Sequence, residues 1–319
     1  MENRFQKLLT EVEVLEPVNV DGFQVFGLRR SGDSQLSYIT LDEALSKKAL
    51  EVTEVSEGGT VPTLKVVNKG ESMIFLMAGE QLIGAKQNRV LNVSIMVGSK
   101  SELPIPVSCV ESGRWRYSSR SFSSGRTSSH SVLRAKMAKD AIASYRLEGT
   151  PSSRQAEVWD EVSRKLESMG SNSPSSALDQ VYQDYEAGLK KVTEELQAPG
   201  GCSGAVFAFG GRIAGMDLFD QSSTLGKLWP KLLRSYLIDA LEKPADQPKL
   251  GRESVLAWLR SALTAKSEKY NSPGLGEDMR LEAENLVGST LIVDNESVHT
   301  ELFSSLPPDT PKAPRGYPA

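Results

Sequence analysis

Ala198-Pro-Gly-Gly201, Ser203-Gly-Ala-Val-Phe-Ala-Phe209, Gly210-Gly211 and Ile213 to Phe219 follow one another almost without a break. Two apolar runs turning on a glycine pair read as a β-hairpin, because a two-residue turn needs the positive φ that glycine adopts at no steric cost. A helical stretch comes before this hairpin, and amphipathic helices from about Ser222 to Leu241 and Glu253 to Thr264 come after it. The helical stretch is therefore expected as an insertion between strand-bearing parts, and the fold class as α+β: a mixed β-rich core with a helical insertion and a C-terminal α/β segment. Strands Gly288 to Val293 and Ser297 to Phe303, meeting at Asp294-Asn295, close the pattern.

Upstream, from Glu11 to about Val110, short β-branched apolar segments alternate with Gly and Asn. They predict strands at Val12 to Val18, Gly22 to Leu28, Thr63 to Val67, Ser72 to Leu76, Val90 to Val97 and Ile105 to Cys109. Thr40 with Glu43 three positions on predicts a capping box and a short helix through Lys48. Ser112 to Lys139 holds seven basic residues and no acidic one among many serines, and predicts a mobile basic loop ending in a helix. Helical periods then cover Val132 to Tyr145, Arg154 to Met169 and Ser175 to Leu196. The expected organisation is a β-rich part over 1–130, a helical insertion over 131–197, strands and helices over 198–305 completing the same core, and a disordered tail over 306–319.

A length of 319 residues allows one large domain or two smaller ones. The first residues lack a secretory pattern and no apolar run approaches 18 residues, so a cytoplasmic protein without a membrane span is expected. Cys109 and Cys202 should stay reduced there. A net charge of −4 argues against a dedicated duplex-DNA binder. Phosphate-loop, nucleophile-elbow and HExxH patterns are missing from the sequence, and two histidines with two distant cysteines do not make a zinc site. That leaves carboxylates for a hard cation such as Mg²⁺, for which Asp217 and Asp220 qualify; helix-start acids are the competing reading of that pair. His299 reads as a core or hairpin histidine.

Polar chemistry concentrates in two clusters. Gly79-Glu-Gln-Leu-Ile-Gly-Ala-Lys-Gln-Asn-Arg-Val-Leu-Asn92 sets Glu80, Lys86, Gln87, Asn88, Arg89 and Asn92 between apolar strands, a donor and acceptor set suited to a polar ligand or to a solvated hairpin. Val107-Ser-Cys-Val-Glu-Ser-Gly-Arg-Trp115 runs a strand into Cys109, Glu111, Arg114 and Trp115. Cys109 reads as a nucleophile or, more blandly, as a small buried hydrophobe. Glu111 suits acid/base work, Arg114 a phosphate clamp and Trp115 stacking on a base. Trp115, Tyr117 and Phe122 among arginines also keep single-stranded RNA open as a partner.

Gly79-Glu-Gln to Gln87-Asn-Arg89, Pro106-Val-Ser-Cys-Val-Glu-Ser-Gly-Arg-Trp115, Gly215-Met-Asp-Leu-Phe219 and Gly274-Leu-Gly to Phe303 resemble the ADP-ribosylglycohydrolase, rhodanese and phosphatase-associated protein domain family over most of the chain. The resemblance singles out Glu80, Gln87, Arg89, Cys109, Glu111, Arg114 and Trp115, and the family's name implies a neighbourhood of ADP-ribose and NAD-derived nucleotide processing without a mechanism. The expectation is an enzyme on such a nucleotide, with Glu80 or Glu111 as acid/base, Cys109 beside them, and Arg89 and Arg114 as phosphate clamps. A non-catalytic nucleotide sensor is the alternative.

Overall fold

The computed structural model describes residues 4–305, so the tail over 306–319 lies outside the described residues. Helices and strands mix in several sheets, an α+β fold, and the chain divides into two compact units. One comprises the chain up to Gln35, Ala187–Tyr270 and the segment from Glu277; the other comprises Leu36–Glu186 and Asn271–Gly276. These limits run across the three-part division expected from the sequence. The 131–197 helices group largely with the strands that precede them.

The first unit is built on a nine-stranded sheet. Its centre is the hairpin Gly204–Phe209 and Arg212–Phe219, flanked by Phe23–Arg29 on one side and by Glu296–Ser304 on the other. Gly210 and Gly211 turn at φ of 60° and 73°, and Asp294 and Asn295 turn the second hairpin at 47° and 65°. Both are paired left-handed residues, the geometry that a two-residue turn demands. One face buries Phe26, Leu28, Val206, Met216, Leu218 and Leu302 with Phe5 and Leu9 of the helix Arg4–Glu11 and Val255 and Leu259 of the helix Arg252–Ala262. On the helix Ser222–Ala240, Trp229 and Tyr236 stack on Phe207.

The second unit holds the polar clusters. Its six-stranded sheet runs Phe122–Ser128, Glu80–Gly84, Arg89–Leu91, Ser101–Cys109, Thr63–Asn68, Leu50–Glu54. Three short strands, Ile95–Val97, Met73–Leu76 and Tyr38–Thr40, make another sheet. The capping box forms as the sequence predicts: Thr40 caps the helix Leu41–Ser46, and Glu43 returns a carboxylate to the Thr40 amide. The expected strand Val90 to Val97 is two strands, and the expected helix Ser175 to Leu196 is two helices, Asp179–Asp184 and Glu186–Glu195.

The basic, serine-rich stretch departs furthest from expectation. Phe122–Ser128 is a strand paired with Glu80–Gly84, and Phe122 is buried in the core of this unit. Phe122 anchors the segment, and Ser123 Oγ donates to the Ile83 carbonyl of the neighbouring strand at 3.2 Å. Composition hid a strand that tertiary pairing imposes.

Candidate functional site

The strand Ser101–Cys109 ends where its backbone leaves the sheet, and residues 110–113 dock on the segment 175–178. The Leu178 amide donates to the Val110 carbonyl at 2.9 Å and the Gly113 amide to the Ser175 carbonyl at 2.8 Å. Beside this seam lies a cavity of about 690 Å³ lined by Asn88, Glu111, Arg114, Trp115, Arg116, Ser175, Asp179, Gln180 and Gln183, among others.

Glu111 joins the two sequence clusters. Its Oε2 accepts from the Asn88 amide at 3.0 Å and from Arg114 Nη2 at 2.6 Å, and its Oε1 accepts from Arg114 Nε at 2.9 Å and Ser175 Oγ at 2.7 Å. Burial alone would raise its carboxyl, but the bonds from Arg114, Ser175 and the Asn88 amide outweigh burial and hold it below the ordinary carboxylate range. Arg114 is equally engaged. Nη1 donates to the Ala85 carbonyl at 2.6 Å and the Arg116 carbonyl at 3.0 Å, while Nη2 reaches Asn88 Oδ1 at 3.2 Å. The turn that receives it depends on Gly84 at φ 126°, where a Cβ would lie 2.4 Å from Ser119 Oγ. Glu111 and Arg114 are thus a positioning pair that ties residues 84–88 to residues 111–118.

Behind this wall is a second polar group. Arg89 is fully buried, donates from Nη1 to Gln87 Oε1 at 2.9 Å and to Cys109 Sγ at 2.7 Å, and lies 3.7 Å from Glu54 Oε1. Among the described residues its Nε and Nη2 and the Glu54 Oε2 have no hydrogen-bond partner. Gln155 holds both backbone groups of Cys109, at 2.8 and 2.9 Å. Burial, opposed by Arg89, pushes the Cys109 thiol up to about 11, so it stays protonated at neutral pH. Trp115 covers the group: the Arg89 guanidinium lies 5.6 Å and Lys86 Nζ 5.3 Å from its ring, and Lys86 is 5.2 Å from Tyr117. Trp115 and Tyr117 are nonetheless 48% and 50% exposed. Phe122, the third aromatic read from the sequence, is buried and leaves this surface to the other two.

Of the residues expected from sequence, the cavity brings together Asn88, Glu111, Arg114 and Trp115. Lys86, Gln87, Arg89 and Cys109 form the group behind it. Glu80 sits apart in its own turn, accepting from the Met77 amide at 2.9 Å. Sequence reasoning missed Glu54 and, above all, Asp179, Gln180 and Gln183. An acid and an amide four residues apart after the Gly170-Ser-Asn-Ser-Pro loop was the available signal.

In the first unit, Asp217 takes His299 Nε2 at 3.0 Å and the Tyr236 hydroxyl at 2.9 Å. Asp217, His299 and Glu301, all buried, bring ligand-type atoms within 4.8 Å of one another. Asp220, the expected companion of Asp217, accepts from Ser34 Oγ at 2.5 Å instead. Cys109 and Cys202 are both free thiols. Among the described residues, no helix is long and apolar enough to cross a membrane.

This α+β architecture with its polar cavity coincides with a sequence family. The chain belongs to the ARG and Rhodanese-Phosphatase-superfamily-associated Protein domain family, whose model matches residues 11–303. No curated protein and no solved structure matches it.

Proposed function

We propose that the cavity binds a phosphorylated nucleotide of the ADP-ribose class and that the protein acts on it as an enzyme. The observation that carries this reading is the convergence of the two polar clusters, through Asn88, Glu111 and Arg114, on one cavity walled by a half-exposed tryptophan. Trp115 offers a face for a base, and cations beneath its ring strengthen stacking. Arg116, exposed on the same wall, is the cation left for a phosphate, because the donors of Arg114 are spent within the protein. The family's description names an association with ARG, which the resemblance read from the sequence motifs takes as ADP-ribosylglycohydrolase, and this supports the ligand class.

Isothermal titration of the full chain with ADP-ribose tests this. Saturable binding is expected, weakened roughly 5- to 150-fold by Trp115→Ala, which is the range of one lost base-aromatic stack. Equal affinity in wild type and variant would remove the site from this cavity. A second reading, single-stranded RNA on the same aromatic pair, is favoured by the half-exposed Trp115 and Tyr117 around Lys86. Displacement of ADP-ribose by a short oligonucleotide would favour it.

A further inference from the structure

We propose that Asp179 is the base that activates water against the ribosyl C1′ of the bound nucleotide; this rests on the nucleotide reading above and replaces Glu111 in the acid/base role. Two carboxylates line the cavity, and their bonding differs. Glu111 accepts four hydrogen bonds, two of them from a guanidinium, so all its strong acceptor positions are used. Asp179 accepts one, from Gln183 Nε2 to Oδ2 at 2.5 Å, and among the described residues its Oδ1 accepts none. A carboxylate held by one neutral amide at one oxygen is oriented and still has a lone pair to receive a proton. A carboxylate saturated by an arginine has neither the room nor the basicity.

The surroundings of Asp179 act in the same direction. Burial raises its carboxyl first; the Gln183 bond opposes this, the charges of Glu111 and Glu186 raise it further, and Arg126 lowers it, with a net rise. Glu111 pushed down and Asp179 pushed up in one cavity is how environment divides roles between two acids. The cavity also fits a glycosidic carbon better than a phosphorus. Arg114 is neutralised by Glu111, so among the described residues of the lining Arg116 is the cation left against the charge of Asp179, with Arg126 acting on that carboxylate from outside the lining. Phosphoryl transfer needs cations around developing negative charge, whereas cleavage at C1′ develops positive charge that carboxylates stabilise.

With NAD⁺ as the probe, the water oxygen bonds to C1′ and its proton goes to Asp179 Oδ1. The C1′–N bond breaks, its electron pair neutralises the pyridinium nitrogen, and nicotinamide and ADP-ribose leave. The proton on Asp179 then passes to solvent.

The test uses the full chain and two measurements: ADP-ribose affinity by calorimetry and nicotinamide release from NAD⁺ across pH 4 to 8. In wild type, release is expected to rise with pH through the Asp179 titration, which sits above the ordinary aspartate range. Asp179→Asn should keep ADP-ribose affinity within about threefold while release falls about a hundredfold or more and loses its acid limb. Asp179→Glu should restore part of the rate and the acid limb. If wild type binds ADP-ribose but releases nicotinamide no faster than Asp179→Asn, the role of Asp179 is overturned and the binding reading stands. If ADP-ribose does not bind, the site reading fails and this inference with it.

Discussion

The two walls of the cavity are made of the same functional groups and treat them in opposite ways. On the strand side, Glu111 and Arg114 saturate each other and the backbone around them. On the helix side, Asp179 has a single amide partner. A buried charge that is fully paired, as Glu111 is, fixes geometry, and a half-buried one that is partly paired, as Asp179 is, can change its protonation.

The largest expected effect comes from breaking the pinned wall. Arg114→Ala leaves Glu111 buried without its cation and releases the Ala85 carbonyl and the Gly84 carbonyl, which Arg114 Nη2 reaches at 3.3 Å, and should cost about 3 kcal/mol or more of stability in urea denaturation. A loss below about 0.5 kcal/mol would mean that the pair is ornamental.

Glu111→Gln keeps the shape and loses the charge, so a loss of about 1 to 3 kcal/mol is expected at neutral pH. Because the folded-state pKa of Glu111 is depressed, its contribution is present above the unfolded-state value near 4.3 and disappears as pH falls through the folded value. The gap between wild type and variant should therefore narrow as pH falls below the ordinary glutamate range, and a gap that does not change with pH would assign the loss to packing.

Cys109→Ser probes the group behind the wall. With its thiol raised to about 11, Cys109 should resist a maleimide at pH 7.5 in the folded protein, and the serine variant should lose about 1 kcal/mol or less. Rapid labelling of Cys109 would reinstate it as a candidate nucleophile.

The smallest effect has the opposite sign. Asp179 is raised in the fold, so the unfolded chain ionises first and the folded state is penalised above the ordinary aspartate range. Asp179→Asn should therefore raise the melting temperature slightly at pH 7 and leave it unchanged at pH 3, as expected where a functional group is held at the expense of stability. A lower melting temperature at pH 7 would make Asp179 part of the pinned structure.

How much of this could be read from the sequence depends on how local the cause is. The turns Gly210-Gly211 and Asp294-Asn295 and the Thr40 capping box are decided by a few adjacent residues, and the structure shows them where the sequence places them. Phe122–Ser128 is a strand because Glu80–Gly84 pairs with it, and no composition rule carries that information. The same holds at the site. Asn88, Glu111, Arg114 and Trp115 stand out as polar residues beside apolar strands, whereas Asp179 is an ordinary helical acid until the 110–113 and 175–178 segments bring it to the cavity. The partner that saturates Glu111 was visible three residues away in Arg114, but a clamp for ligand phosphate and a clamp for a protein carboxylate look alike in one dimension.

The division between the two walls is tested most directly by side-chain carboxyl ¹³C NMR titration of Glu111 and Asp179 in the full chain, with and without ADP-ribose. Glu111 should titrate below the ordinary glutamate range in both samples, and Asp179 above the ordinary aspartate range, moving when ADP-ribose is added. Contradiction would be the reverse order, with Asp179 low and Glu111 high, or an Asp179 titration that ADP-ribose at saturating concentration leaves unchanged.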